Sequence, residues 1–216
     1  FYLPEEGKYK VIARTRDDAA GEAFDKVSKM LNLGYPGGPV IEKLASEGDA
    51  KKIKFPIAKI SDGRPDYSFS GLKTAVARYI RENNIEPVRD GGEISQEIKD
   101  LCASFQDTVV RSLLKSVEKL ADELFPKTLI VAGGVACNGY LRNASEKLGE
   151  KLNLPVYFPS KHLSTDNAAM IAAAGYFHLK NGECAELTMN ADVTMRLQNI
   201  EVEDNDLKKK KVRYKL

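Results

Sequence analysis

The stretch Leu129-Ile130-Val131-Ala132-Gly133-Gly134-Val135-Ala136-Cys137-Asn138 constrains the fold of this chain more than any other. Its short, continuous apolar run reads as a buried parallel strand. Two glycines then let the backbone turn sharply and approach a ligand closely. From Gly139 the sequence Gly-Tyr-Leu-Arg-Asn opens a helical pattern. The helix of such a β–α unit aims its free N–H groups and positive dipole end at whatever lies over the turn. Gly133 and Gly134 are therefore candidates for a turn that faces a nucleotide or a phosphate. An ordinary β–α connection has the same composition, so the glycine pair alone does not decide between the two.

A second unit with the same logic follows. Val156-Tyr157-Phe158 reads as a short strand, and a helix runs from Ala168 to about Leu179, closed by Gly182. Thr165 or Asp166 can cap that helix. Asp166 can equally point across a cleft at a metal or a phosphate-bound cation. Two successive strand–turn–helix units predict an α/β fold, in which ligands bind at the carboxyl ends of the strands.

The rest of the chain is read around these units. Tyr9 to Arg14 alternates like a strand and leads into a helix beginning near Asp17-Asp18, with Ala20, Phe24, Val27, Met30 and Leu31 on its apolar face. Asp18, Glu22 and Asp25 share one face of that helix. They form either a solvated acidic surface with Lys26 and Lys29 nearby or part of a ligand site. Gly34-Tyr35-Pro36-Gly37-Gly38-Pro39 is a dense turn signal ahead of a helix over 40–47. Residues 48–65 read as a loop with an extended piece over 53–60. Ser70 is positioned to cap a helix that runs to about Arg81; Ser68, Ser70 and Lys73 are alternatively substrate or RNA contacts. Ile94, Ile98, Leu101, Phe105, Val109, Leu113, Val117, Leu120 and Leu124 recur at steps of three and four. They predict a bracing helix of about 30 residues, roughly 45 Å long, capped by Ser95 and ended by Pro126. Val193 to Leu197 suggests an edge strand, and the lysine-rich stretch after it a solvated, mobile terminus.

Composition excludes several classes. The net charge is only +2, so bulk charge implies no nucleic-acid partner. No run is long and apolar enough to span a membrane. Three widely spaced cysteines, none in a Cys-x-x-Cys pair, suit a reducing compartment. His162 and His178 lack the close spacing of a two-histidine metal site. The chain starts at Phe1 within a strand-like region, which suggests a piece of a longer protein.

With these residues read, the chain resembles the catalytic subunit of tRNA threonylcarbamoyl-adenosine synthase, a family once described as a glycoprotease. The matching blocks are Asp17 to Lys26 (DDAAGEAFDK), Tyr35 to Pro39 (YPGGP), Phe69 to Thr74 (FSGLKT), Ala132 to Asn138 with Leu141-Arg142 (AGGVACN, LR), and Thr165 to Ala172 (TDNAAMIA). They fall in order, and the pattern is similar to the bacterial or organellar branch. The resemblance implies one α/β lobe of an actin-like, sugar-kinase-like fold, formed by residues 1–31 and 126–200. A helical insertion over 32–125 and a charged tail over 201–216 complete the expected organisation.

The resemblance also implies a reaction: transfer of threonylcarbamoyl from threonylcarbamoyl-AMP to N6 of the adenosine beside the anticodon, in tRNAs that read codons beginning with A. By position, Asp25, Gly38 and Asn138 match residues that bind the adenylate substrate. Position 42 often carries an Asp that touches the ribose; here it is Glu42, one methylene longer. Asp166 matches the carboxylate ligand of a single divalent metal, iron or zinc. The family's other metal ligands, a His-x-x-x-His pair, and its phosphate loop Ser-Gly-Gly-His-Thr do not occur in this sequence. The resemblance therefore implies a chain that is inactive alone, within an active parent. A metal would polarise the carbamoyl carbonyl; no general base is identified. Implied partners are tRNA, a paralogous actin-like subunit and a small ATPase, in the bacterial cytoplasm or, for the organellar branch, the mitochondrion. Two other readings stay open: a non-catalytic nucleotide-binding or partner subunit of the same fold, and a metallopeptidase. The second lacks a nucleophile–histidine arrangement or a His-Glu-x-x-His helix.

Overall fold

The computed structural model describes residues 1–190 apart from 6 and 90. The edge strand expected over 193–197 and the lysine-rich stretch lie outside the described residues. The chain divides into two units, Phe1–Arg14 with Ala185–Leu216, and Thr15–Cys184. In the first, Tyr2 and Lys10 form an isolated antiparallel bridge, with N–H···O distances of 2.8 and 2.9 Å. Beyond that bridge the alternation from Tyr9 to Arg14 does not form a strand among the described residues.

The larger unit carries the elements in the order α1 (Ala20–Met30), α2 (Gly37–Ala45), α3 (Ser70–Glu82), α4 (Gln96–Leu124), β1 (Leu129–Ile130), α5 (Gly139–Leu152), β2 (Val156–Tyr157) and α6 (Ala168–Lys180). Short 3-10 turns precede α5 and α6, at Gly134–Cys137 and Lys161–Leu163. β1 and β2 pair in parallel, Leu129 with Val156 and Ile130 with Tyr157. The two strand–turn–helix units are therefore present, and the architecture is α/β with helices dominant. The expected burial of β1 is not: Ile130 is 66 % exposed. The apolar run specifies a strand that needs covering on both faces, and the described residues cover neither fully.

α1 starts where Glu22 reaches back to accept a hydrogen bond from Ala19 N at 3.3 Å, the carboxylate half of a capping box. Ser95 caps α4, its Oγ accepting from Ile98 N at 3.4 Å. α4 has 29 residues, as the periodicity requires, and ends with Phe125 in the left-handed conformation just before Pro126. Its first half is the spine of the core. Leu101, Phe105 and Val109 are fully buried against Phe24 and Val27 of α1, Leu31 just after it, and Ile41 of α2. Phe24 and Phe105 meet edge to face, ring centroids 5.1 Å apart, an arrangement that favours both rings' quadrupoles. Beyond Val110 the helix is mostly half-exposed, so only part of the periodic face is used.

α2 begins at Gly37, earlier than residue 40, and Pro39 sits in its first turn. Gly37 is required there: a Cβ would lie 2.6 Å from Phe24 O and 2.7 Å from Asp25 Cα. α1 and α2 can touch only because that hydrogen is not a methyl.

Candidate functional site

The site expected from the sequence involves residues on four elements, and α2 connects three of them. Asp25, on α1, turns its carboxylate to the start of α2, where Oδ1 accepts from Gly37 N at 2.8 Å. This satisfies one of the orphan N–H groups at that helix end and places Gly38 beside it. A Cβ on Gly38 would meet nothing within 4 Å, so the space over this first turn is open.

One turn further along α2, Glu42 crosses to α5. Its Oε1 accepts from Gly139 N at 2.7 Å. The extra methylene relative to Asp thus has a use: it lets the carboxylate reach the first N–H of α5. Asn138 precedes that N–H and is buried, at 6 % exposure. Its Oδ1 accepts from Leu141 N at 2.9 Å, which caps α5, and its Nδ2 donates to Gln106 Oε1 on α4 at 2.7 Å.

The glycine turn leads into Asn138. Gly133 has φ +96°, a conformation that favours glycine, and a Cβ on Gly134 would meet nothing within 4 Å. The following Val135 lies against α1, with its Cγ2 3.4 Å from where a Cβ of Gly21 would stand. Arg142 ties the turn down from behind. Its Nε donates to Ala136 O (2.6 Å), its Nη2 to Pro159 O (2.9 Å), and its guanidinium lies 4.8 Å from the Phe158 ring centroid. Asp25, Gly38, Glu42, Asn138 and the Gly133-Gly134 turn are thus linked through α1, α2 and the α5 N-terminus. The positive dipole ends of α2 and α5 are each met by a carboxylate, Asp25 at Gly37 N and Glu42 at Gly139 N.

Asp166 is not drawn into this group by any described contact. It is exposed, and the cap of α6 is Asn167, whose Oδ1 accepts from Met170 N at 3.0 Å. Neither Thr165 nor Asp166 is the cap, which leaves the Asp166 carboxylate unengaged in capping. Among the described residues no group of three or more His, Cys, Asp or Glu side chains could hold a metal ion. The donor set of the described residues therefore does not fit a metal by itself.

The acidic face of α1 is neutralised from within. Lys26 Nζ reaches Asp18 Oδ1 (2.7 Å) and Glu22 Oε1 (2.8 Å), and Lys73 Nζ lies 3.4 Å from Asp18 Oδ2. The hydrogen bonds from Lys26 to Asp18 and Glu22 raise the Lys26 ammonium well above its usual value. Asp25 alone of the three turns away, towards α2.

The helix start at Ser70 holds a residue the sequence reading missed. Ser70 is the first helical residue, not the cap. Asp17 acts in its place from 53 residues upstream. Its Oδ1 accepts from Phe69 N (2.8 Å) and Ser70 N (3.2 Å), and its Oδ2 from Ser68 Oγ (2.5 Å) and Ser70 Oγ (2.7 Å). Burial pushes this carboxyl up, but the hydroxyl and amide donors outweigh it and hold the group below its ordinary value. Ser68 and Ser70 are thus engaged with Asp17, and Lys73 with Asp18. The DDAAGEAFDK and FSGLKT blocks are one contact surface, a pairing no local pattern announces. Gln106 was also missed. The available signal was a polar residue between Phe105 and Val109 on a core-facing helix, where a buried amide needs a partner.

Comparison with known proteins agrees with the blocks read from the sequence. The sequence model described as TsaD: tRNA N6-adenosine threonylcarbamoyltransferase matches residues 1–173. Proteins named tRNA N6-adenosine threonylcarbamoyltransferase are similar to this chain in several bacteria. The relative from Carboxydothermus hydrogenoformans is 47% identical over 192 residues, covering 88% of this chain and 54% of the relative. That from Clostridium perfringens strain 13 is 46% identical over 196 residues, 91% of this chain and 56% of the relative. That from Koribacter versatilis is 42% identical over 220 residues, 88% and 58%. The chain therefore spans little more than half the length of the curated relatives it matches. Among solved structures, T. kodakarensis HypF shares the fold with a TM-score of 0.55 at 19% identity, over 74% of this chain and 20% of that one.

Proposed function

Because the chain belongs to the tRNA N6-adenosine threonylcarbamoyltransferase family, we propose that it supplies the adenylate-binding half of an enzyme that modifies tRNA. The donor is threonylcarbamoyl-AMP, a mixed carbamoyl–phosphoric anhydride. N6 of the adenosine beside the anticodon forms a bond to the carbamoyl carbon, the carbon–oxygen bond to phosphate breaks, AMP leaves, and N6 gives up a proton. The observation that carries this reading is the Glu42–Gly139 hydrogen bond of 2.7 Å next to Asn138, which joins the α2 and α5 motifs into one surface.

Each residue has a part. Asp25 and Glu42 each have one oxygen holding a backbone N–H and offer the other to ribose hydroxyls. The open backbone at Gly38 and Gly134 admits the nucleotide closely. Asp166 offers one carboxylate to a divalent iron or zinc ion, whose other ligands come from outside the described residues. The lobe is read as actin-like, residues 1–31 with 126–200, and the segment 32–125 as its helical insertion. tRNA, a paralogous subunit and a small ATPase are the proposed partners. No helix among the described residues is long and apolar enough to cross a membrane.

The test is calorimetric binding of a stable threonylcarbamoyl-adenylate mimic to this chain and to Asp25→Ala and Asn138→Ala. Binding by the unsubstituted chain, lost in both variants, is the expected result. Equal binding by all three would place the ligand elsewhere and overturn the assignment.

A further inference from the structure

Three consecutive residues at the start of α5 are each held by a different side chain. Asn138 Nδ2 donates to Gln106 Oε1 (2.7 Å), Gly139 N to Glu42 Oε1 (2.7 Å), and Tyr140 Oη to Asp107 Oδ1 (2.8 Å). Two of the three partners are adjacent on α4. Gln106 is 4 % exposed and Asn138 6 %, so water does not replace their bond.

A carboxamide has one oxygen and two N–H donors. Leu141 N–H holds the oxygen end of Asn138. Gln106 holds the nitrogen end through one hydrogen. With both ends attached, rotation about the Cβ–Cγ bond is locked, and the second Nδ2 hydrogen keeps a single direction. Without Gln106 the cap bond alone remains, and the amide nitrogen is left buried with no acceptor, which is costly.

We infer that Gln106 is a positioning residue that acts through Asn138: it fixes the carboxamide so that the remaining N–H is presented to the ligand. The inference rests on the reading of Asn138 as a substrate-binding residue. It gives the long helix a part in the site beyond bracing. Glu42 does the same for the backbone of Gly139, where an added Cβ would come within 3.1 Å of Oε1.

The test uses Gln106→Leu, which removes the acceptor at similar volume, and Gln106→Glu, which keeps an acceptor oxygen. Gln106→Met carries the same test as the leucine variant if that chain does not fold. Two readouts are needed. First, the Asn138 side-chain amide pair is assigned in proton–nitrogen spectra by its absence in Asn138→Asp. We expect slow exchange in the unsubstituted chain and in Gln106→Glu, and exchange faster by about tenfold in Gln106→Leu. Second, affinity for the threonylcarbamoyl-adenylate mimic falls about tenfold in Gln106→Leu and is largely kept in Gln106→Glu. Unchanged Asn138 signals in Gln106→Leu overturn the inference outright. Changed signals with unchanged affinity also overturn it, while loss of binding in Asn138→Ala leaves the adenylate reading intact. If Asn138→Ala binds like the unsubstituted chain, the adenylate reading fails and the inference falls with it.

Discussion

Replacing Asp17 by Ala removes four hydrogen bonds at once, two to backbone N–H groups and two to hydroxyls. Losing a helix cap costs about 1–2 kcal/mol, and bonds to a charged acceptor add to it, discounted here because the carboxylate is exposed. A net loss of about 2 kcal/mol follows. With a urea slope of about 2 kcal/mol/M for a domain of this size, the midpoint falls by about 1 M, at fixed protein concentration. Ser70→Ala alone costs less, and the Asp17→Ala, Ser70→Ala cycle shows coupling of about 1 kcal/mol. The pH dependence has a definite sign. The folded carboxyl lies below the ordinary value of 3.8, so its contribution is complete above that value. It is lost as pH falls through the folded value, and is absent below both. Asp17→Asn should therefore flatten the acid limb of stability. A midpoint shift below about 0.3 M in Asp17→Ala, or an acid limb unchanged in Asp17→Asn, would refute the claim that Asp17 caps α3.

Further outcomes are expected. Gly37→Ala forces a methyl into Phe24 O and costs about 2–3 kcal/mol, seen as a lowered thermal midpoint. Gly38→Ala leaves the midpoint nearly unchanged but weakens adenylate-mimic binding in calorimetry. Phe105→Ala opens a cavity against Phe24 and costs about 3–5 kcal/mol in urea titration. Glu42→Gln keeps an acceptor for Gly139 N and retains most of the stability that Glu42→Ala loses, by about 1 kcal/mol on the same titration.

Long-period features were legible in the sequence. α4 and its Ser95 cap, the α5 helix, α6 and the two short strands each follow from local pattern, and the structure has them within a few residues. The ordered motif blocks also implied one ligand for Asp25, Gly38 and Asn138; the structure links the elements that carry them through Gly37 N and Gly139 N. What escaped is set by side chains meeting across distance. Asp17 reaches a helix start 53 residues on, and no period relates the two. Gln106 hid inside a stripe read only as apolar. Glu42 looked like a weakened Asp because its length is meaningful only once Gly139 stands opposite. Burial of β1 was expected from composition, but burial depends on what covers a strand. Ser70, Thr165 and Asp166 were cap candidates by residue type. α3 starts one residue earlier than a Ser70 cap requires, and Asp17 takes the role there; α6 starts at Ala168 as expected, and the residue directly before it, Asn167, is the cap.

α6 is apolar on every side, yet none of its residues is buried among those described; Ile171, Tyr176, Phe177 and Leu179 are each more than half exposed. An isolated helix of 13 residues is marginal in water, and one apolar all round belongs in an interior. Its amides should therefore exchange far faster than those of α4, as a separate low-stability unit. The Asn167 cap sits at the same end, so melting α6 releases the turn that carries Asp166. Any surface that encloses α6 will order that carboxylate in the same event.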